Sequence, residues 1–235
     1  SSAPDLVTLN ENGEFKSGTL TDGKETYKLI THGRLINLTR QTIINDDLDA
    51  MTRVPNMFGA AGARRESDTV WGIFTANAAL ADGTALFHAD HNNTVAAGAI
   101  NATNVGALRK LLRKQTGLQG EVLDIQPEVL LAGPDKELEL DQFFGTFVPN
   151  AQSNVTPSNL RSLTPIVEPR LTGNNWYLAA AYSQIDTIEY AYLEGEEGVY
   201  TETKQGFEVD GVQVKARLDF AAKAVDFRGL ARNGS

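Results

Sequence analysis

The sequence predicts an α+β fold. Three observations carry that expectation: apolar residues at helical spacing cluster between residues 55 and 145, strand-like segments dominate beyond residue 160, and neither strand–helix–strand alternation nor an internal repeat is present. Chain length and composition allow it, because 235 residues with 41% hydrophobic and 22% charged content suffice for at least one full core. No long Gly/Ser, Pro or single-sign charge run marks a linker, so intertwined subdomains are expected.

Taken in order, residues 14–40 are rich in Thr, Tyr, Ile and Leu and carry the turn sequence Thr21-Asp22-Gly23-Lys24 at their middle, which reads as a long hairpin. Its apolar residues (Phe15, Leu20, Tyr27, Leu29, Ile30, Leu35) are too few for a core of its own, so it needs a partner surface. Asn45-Asp46-Asp47 offers side-chain oxygens and negative charge to a helix start. Pro55 is then expected to interrupt that helix and begin a longer one running to about Asn77, with Phe58, Ala61, Val70, Trp71, Phe74 and Ala78 on the apolar face and Arg64, Arg65, Glu66 and Asp68 opposite.

Residues 81–102 read as loop, closing on Thr103 or Asn104 as the cap of a short helix. That helix buries Val105, Leu108, Leu111 and Leu112, shows Arg109, Lys110, Arg113 and Lys114 to water, and stops near Gly117. Residues 127–132 form an apolar strand. Gly133-Pro134-Asp135 opens a helix ending near Gly145 with Leu138, Phe143 and Phe144 inward. Strands follow at 166–171, 176–181, 187–193, 198–204 and 212–227.

Composition excludes several functions. No apolar run approaches the ~20 residues that span a bilayer. Ser1-Ser2-Ala3-Pro4 lacks the basic and apolar regions of a secretory signal. With no cysteine there are no disulfides, thiolate metal sites or thiol nucleophile. A net charge of −9 has the wrong sign for a protein whose main work is gripping phosphate backbones.

His88-Ala89-Asp90-His91 holds ligand types that zinc favours, with a third histidine at His32, but the spacing supplies no convergent set; loop braces to nearby backbone are the better reading. No Gly-x-Ser-x-Gly elbow, Walker loop or dinucleotide fingerprint occurs. Gly59-Ala60-Ala61-Gly62 reads as a close helix contact rather than a phosphate cradle. The basic helix face reads as solvated, with a subunit contact as the alternative. Glu194-Gly195-Glu196-Glu197 reads as an exposed acidic turn, because a calcium loop needs more ligands at fixed spacing. No cofactor and no metal are assigned.

Three segments together carry a family resemblance. They are Tyr27-Lys28-Leu29-Ile30-Thr31-His32-Gly33-Arg34-Leu35-Ile36-Asn37-Leu38-Thr39-Arg40-Gln41 running into Ile43-Ile44-Asn45-Asp46-Asp47-Leu48; Leu86-Phe87-His88-Ala89-Asp90-His91-Asn92-Asn93; and Leu218-Asp219-Phe220 followed by Lys223-Ala224-Val225-Asp226-Phe227-Arg228-Gly229-Leu230. In this order, and bracketing nearly the whole chain, they resemble the major head proteins of tailed bacteriophages, a family often encoded as a fusion with a ClpP-like prohead protease.

The resemblance implies the Hong Kong 97 fold. It implies an N-terminal arm at 1–13, the hairpin called the E-loop at 14–40, a peripheral domain with a spine helix at 41–106, an axial domain at 107–191, and return strands of the peripheral domain at 192–235. It further implies a non-enzymatic, shell-forming homo-oligomer of pentamers and hexamers around double-stranded DNA, located in the virion after assembly in the host bacterial cytoplasm. Prohead protease, portal and decoration proteins would be further partners, and the missing methionine would fit proteolytic maturation. The inter-subunit contact is expected at the E-loop residues Thr21, Asp22, Gly23, Lys24, Tyr27 and Lys28. Some relatives join an E-loop lysine to an asparagine of another subunit; Lys24, Lys28 and Asn233 are the residues to consider, with ordinary exposed lysines the better reading. Two rivals remain, a monomeric binding module using the hairpin and a metal-dependent hydrolase around His88, Asp90 and His91.

Overall fold

The computed structural model describes residues 24–45, 49–145, 158–206 and 211–234. Helices and strands are mixed without regular alternation, and the described chain divides into two compact units. One unit comprises Tyr27–Phe74 and Ile188–Lys223; the other comprises residues 24–26, Thr75–Thr187 and 224–234.

The first unit is a four-stranded sheet and a helix. Its strands are β1 (Ile30–Thr39), β6 (Ile188–Tyr192), β7 (Tyr200–Gly206) and β8 (Gly211–Ala224), with β8 central. β1 runs antiparallel to β8 in an unbroken register from Ile30 opposite Phe220 to Thr39 opposite Gly211. Side chains alternate across a pleated strand, so this register puts Ile36 and Leu38 on the same face as Val212, Val214 and Ala216. That face packs against Val54 and Phe58 of α2 (Asp49–Ala76). The opposite face carries Gln213, Lys215 and Arg217.

Several expectations change here. The turn Thr21-Asp22-Gly23 and the first half of the expected hairpin lie outside the described residues, and among the described residues the partners of the second half are on β8. Asn45 ends a short α1 (Arg40–Asn45), while Asp46 and Asp47 lie outside the described residues. Pro55 does not divide the helix: α2 is one element of 28 residues with the proline inside it. The ring removes one backbone hydrogen bond and crowds the carbonyl one turn back, and Pro55 is exposed, so the cost falls on a solvated turn. Ala61 is exposed, and Gly62 takes the buried place expected of it.

The second unit is built on a five-stranded sheet in the order β2 (Thr94–Val95), β9 (Leu230–Asn233), β5 (Trp176–Ala180), β3 (Pro127–Ala132) and β4 (Thr164–Val167). Leu130, Ala132, Trp176, Leu178 and Ala231 share one face, and α3 (Ala102–Arg113), α4 (Glu137–Phe144) and α5 (Ser158–Arg161) supply Val105, Leu108, Leu112, Leu140, Phe143 and Leu160 to the same core. Trp176 is fully enclosed and donates its indole N–H to Gly98 O at 2.9 Å, which removes the one polar cost of burying it.

α3 begins two to three residues earlier than expected. Asn101 is its cap, accepting the Asn104 N–H at 2.8 Å, so neither Thr103 nor Asn104 serves. α4 ends at Gly145 as expected, but Leu138 points outward and is 69% exposed. The helix period explains this: Leu140 and Phe143 already define the buried face, and Leu138 sits away from it. The last long strand ends at Ala224, not Phe227, and β9 follows as a separate strand between β2 and β5. Among the described residues no helix is long and apolar enough to cross a membrane.

Candidate assembly surface

The described residues among those expected in the E-loop fall on both units. Lys24 is exposed and borders a shallow depression lined by Glu25, Leu80, Ala81, Asp82 and Phe227. Glu25 fixes the backbone there, its carboxylate accepting the Ala81 N–H at 2.6 Å. On the other unit, Tyr27 donates its hydroxyl to Glu189 Oε1 at 2.7 Å. Burial first, then that bond and the Glu189 charge, push the phenol up to about 12. Lys28 is exposed beside Ile30, His32, Arg65 and Phe220, along a groove between β1, β8 and α2.

Among the described residues this unit keeps apolar surface exposed: Ile30 is 58% and Leu35 52% exposed on β1, and Leu29 before it and Tyr190 on β6 are exposed as well. His32 is held below the ordinary imidazole range by burial and by the Arg65 charge, against an opposing pull from Asp219. A small-residue approach shapes the same unit. A Cβ on Gly62 would stand 2.2 Å from Val199 Cγ2, so only glycine lets α2 come this close to the segment leading into β7. Of the run Gly59-Ala60-Ala61-Gly62, Gly62 makes the close contact, while Gly59 has nothing within 4 Å of its would-be Cβ.

The outer face of this sheet is a charge ladder. Lys215 meets Glu202 at 2.5 Å, Arg217 pairs with Glu196 and reaches Asp219 at 3.3 Å, and Thr31 donates to Asp219. The Arg217 guanidinium also stands 5.3 Å from the Tyr200 ring centre. Part of the acidic turn is thereby explained: Glu196 balances Arg217, while Glu194 and Glu197 face solvent.

The histidine loop is a brace. His91 is buried and stacks on Phe227 with centroids 3.8 Å apart; its Nδ1 lies 3.2 Å from Leu86 O and its Nε2 2.8 Å from Asp82 Oδ2. Buried Asn93 donates to Leu86 O at 2.8 Å and accepts the His88 N–H at 3.1 Å. Gln115 donates to His91 O at 2.9 Å, and His88 Nδ1 accepts the Asp90 N–H at 3.2 Å. Ring nitrogens engaged in this way are spoken for by the loop, and among the described residues no three His, Asp or Glu side chains are placed to hold a metal. The hydrogen bond from His91, with help from the Thr84 N–H, holds Asp82 below the usual carboxylate range.

Asn233 is 1% exposed, and its Oδ1 accepts the Gly98 N–H at 2.7 Å. A side chain locked inside β9 offers nothing to a lysine of another subunit, which removes it as a cross-linking candidate.

The chain matches the family described as phage capsid protein over residues 23–233. The chain belongs to the phage capsid protein family. Its fold is that of Hong Kong 97-type capsids. The capsid of Myoviridae phage XM1 is similar at a TM-score of 0.57 and 11% identity, covering 88% of this chain and 74% of that one. A protein of Microbacterium phage Oxtober96 gives 0.57 at 13% identity over 97% and 82%. The holo-SrpI encapsulin complex of Synechococcus elongatus PCC 7942 gives 0.54 at 14% identity over 88% and 73%. No curated protein sequence matches this capsid-family chain.

Proposed function

We propose that this capsid protein is the shell-forming major subunit of a phage head: a homo-oligomer of pentamers and hexamers that closes an icosahedral container around double-stranded DNA and carries no enzymatic activity. The observation that supports the reading most is the family match across 23–233, nearly the full chain. The capsids among its structural relatives add support at the level of the fold.

In this reading α2 is the spine helix, residues 41–106 with 192–235 form the peripheral domain, and residues 107–191 form the axial domain. The E-loop, 14–40, lies on a neighbouring copy through Thr21, Asp22, Gly23, Lys24, Tyr27 and Lys28. The exposed Leu29, Ile30 and Leu35 support that placement, because such surface gains burial only from a partner. Prohead protease, portal and decoration proteins are partners of the same reading. A net charge of −9 suits a container that must not adhere to its DNA.

Sedimentation of a bacterial lysate containing the chain tests this. A shell subunit runs far down a sucrose gradient in nuclease- and protease-resistant particles, and amine cross-linking of those particles recovers peptides joining Lys24 or Lys28 to a second copy. A chain that stays wholly at the top of the gradient, at monomer size, also when the other head proteins are present, contradicts the reading.

A further inference from the structure

α4 presents solvent with an acidic face that has an apolar centre. Glu137 and Asp141 lie one turn apart and are exposed, and Leu138 stands beside them at 69% exposure. Among the described residues neither carboxylate has an ion-pair partner. A lone exposed leucine needs no explanation. Here the same unit also carries its complement.

α3 contains no acidic residue, and its outer face gathers Arg109, Lys110, Arg113 and, at its end, Lys114. These four line a cleft with Gly106 of α3 and with Asn159 and the buried Leu160 of α5. Gly106 has no side chain and open space above it, so the cleft is hollow at its middle inside a basic rim. Arg113 is already committed to Asp124, with contacts of 2.6 and 3.0 Å. Arg109, Lys110 and Lys114 make no ion pair among the described residues.

We propose that α4 of one copy seats in the α3–α5 cleft of the next, with Leu138 over Gly106 and with Glu137 and Asp141 facing Arg109, Lys110 and Lys114. The inference rests on the shell-forming reading and names one contact within it. Two different patches meet, so the contact is head-to-tail and builds a ring when the rotation between copies closes. On a chain of net charge −9 a basic cleft is the feature that steers an acidic copy into register. A nucleic acid would satisfy the cations but would leave Leu138 unused.

Charge exchange on the full chain tests it, with assembly followed by light scattering and electron microscopy. Lys110→Glu with Lys114→Glu, or Glu137→Lys with Asp141→Lys, raises the concentration needed for assembly at least about tenfold. All four reversals in one chain return it to near the original value, and Leu138→Ser weakens assembly without touching charge. All these positions are on the surface, and unchanged urea midpoints confirm that each variant folds.

Double reversals that assemble like the parent, or a fourfold variant no better than either double, overturn the proposal. So does a Lys110→Glu/Lys114→Glu chain that assembles normally while losing retention on DNA, which assigns the cleft to nucleic acid. A parent chain that assembles while every variant is indifferent overturns this contact alone. A parent chain that never associates removes the shell-forming reading and this contact with it.

Discussion

Asp82 shows how a single residue contributes to stability in acid. Asp82 is depressed in the fold, first by its bond to His91 and then by the Thr84 N–H, so its contribution is complete above the ordinary carboxylate value of 3.8 and is lost as pH falls through the lower folded value. Asp82→Asn therefore flattens the acid limb of the stability curve, measured as urea midpoint against pH, and leaves the neutral region changed only by the lost bond, about 1 kcal/mol. An acid limb identical in the variant would show that other carboxylates carry it.

Tyr27 runs the opposite way. Its phenol is pushed up to about 12 by burial and by Glu189, so the neutral hydroxyl persists through alkaline pH. Glu189→Gln removes the charge and weakens the acceptor, so the phenolate absorbance of Tyr27, isolated by difference from Tyr27→Phe, rises at a lower pH than in the parent. No displacement would place the cause in burial alone.

Among the elements, α2 depends on one glycine. Gly62→Leu must displace Val199 from a site that has no room even for a Cβ, and overpacking of this kind costs about 1–3 kcal/mol in urea unfolding. Gly59→Ala is the control: nothing lies within 4 Å of its would-be Cβ, and alanine favours the helix, so stability holds or rises.

How far elements could be read from sequence followed their signals. Residues 127–132 were legible because an apolar run stood between turn residues, and α3 because Val105, Leu108 and Leu112 keep strict spacing. Pro55 misled because a local breaker was weighed without the burial of Val54 and Phe58, which holds the helix through it. β2 and β9 escaped because strands of two and four residues carry too little pattern, and only their pairing with each other and with β5 defines them. Leu138 was assigned inward on hydrophobicity, although the helix period gave that face to Leu140 and Phe143.

The candidate surface divided similarly. The histidine loop was legible as a brace because its residue types lacked ligand spacing, yet the partners Asp82, Gln115 and Phe227 lie too far along the chain for any local reading to supply.

For the whole molecule, the distribution of apolar surface is the feature that calls for company. Both units have closed cores, but Leu29, Ile30, Leu35, Met57 and Leu138 stay in water. In a shell each such contact is modest, and the sum is strong because a subunit held by several neighbours leaves only when several interfaces break together. Contacts of this mixed kind, part apolar and part ionic, also predict that raising salt weakens the steering of assembly more than the finished shell, which slows the rise of scattering without dissolving particles already formed.

The most direct test of the central claim is electron microscopy of the purified chain, with light scattering, under conditions that favour assembly. The account predicts closed shells, or the pentamer and hexamer rings from which they are built, with a mass many times that of the 25.4 kDa chain. A homogeneous monomer that persists at high concentration, and in the presence of the other head proteins, would contradict it.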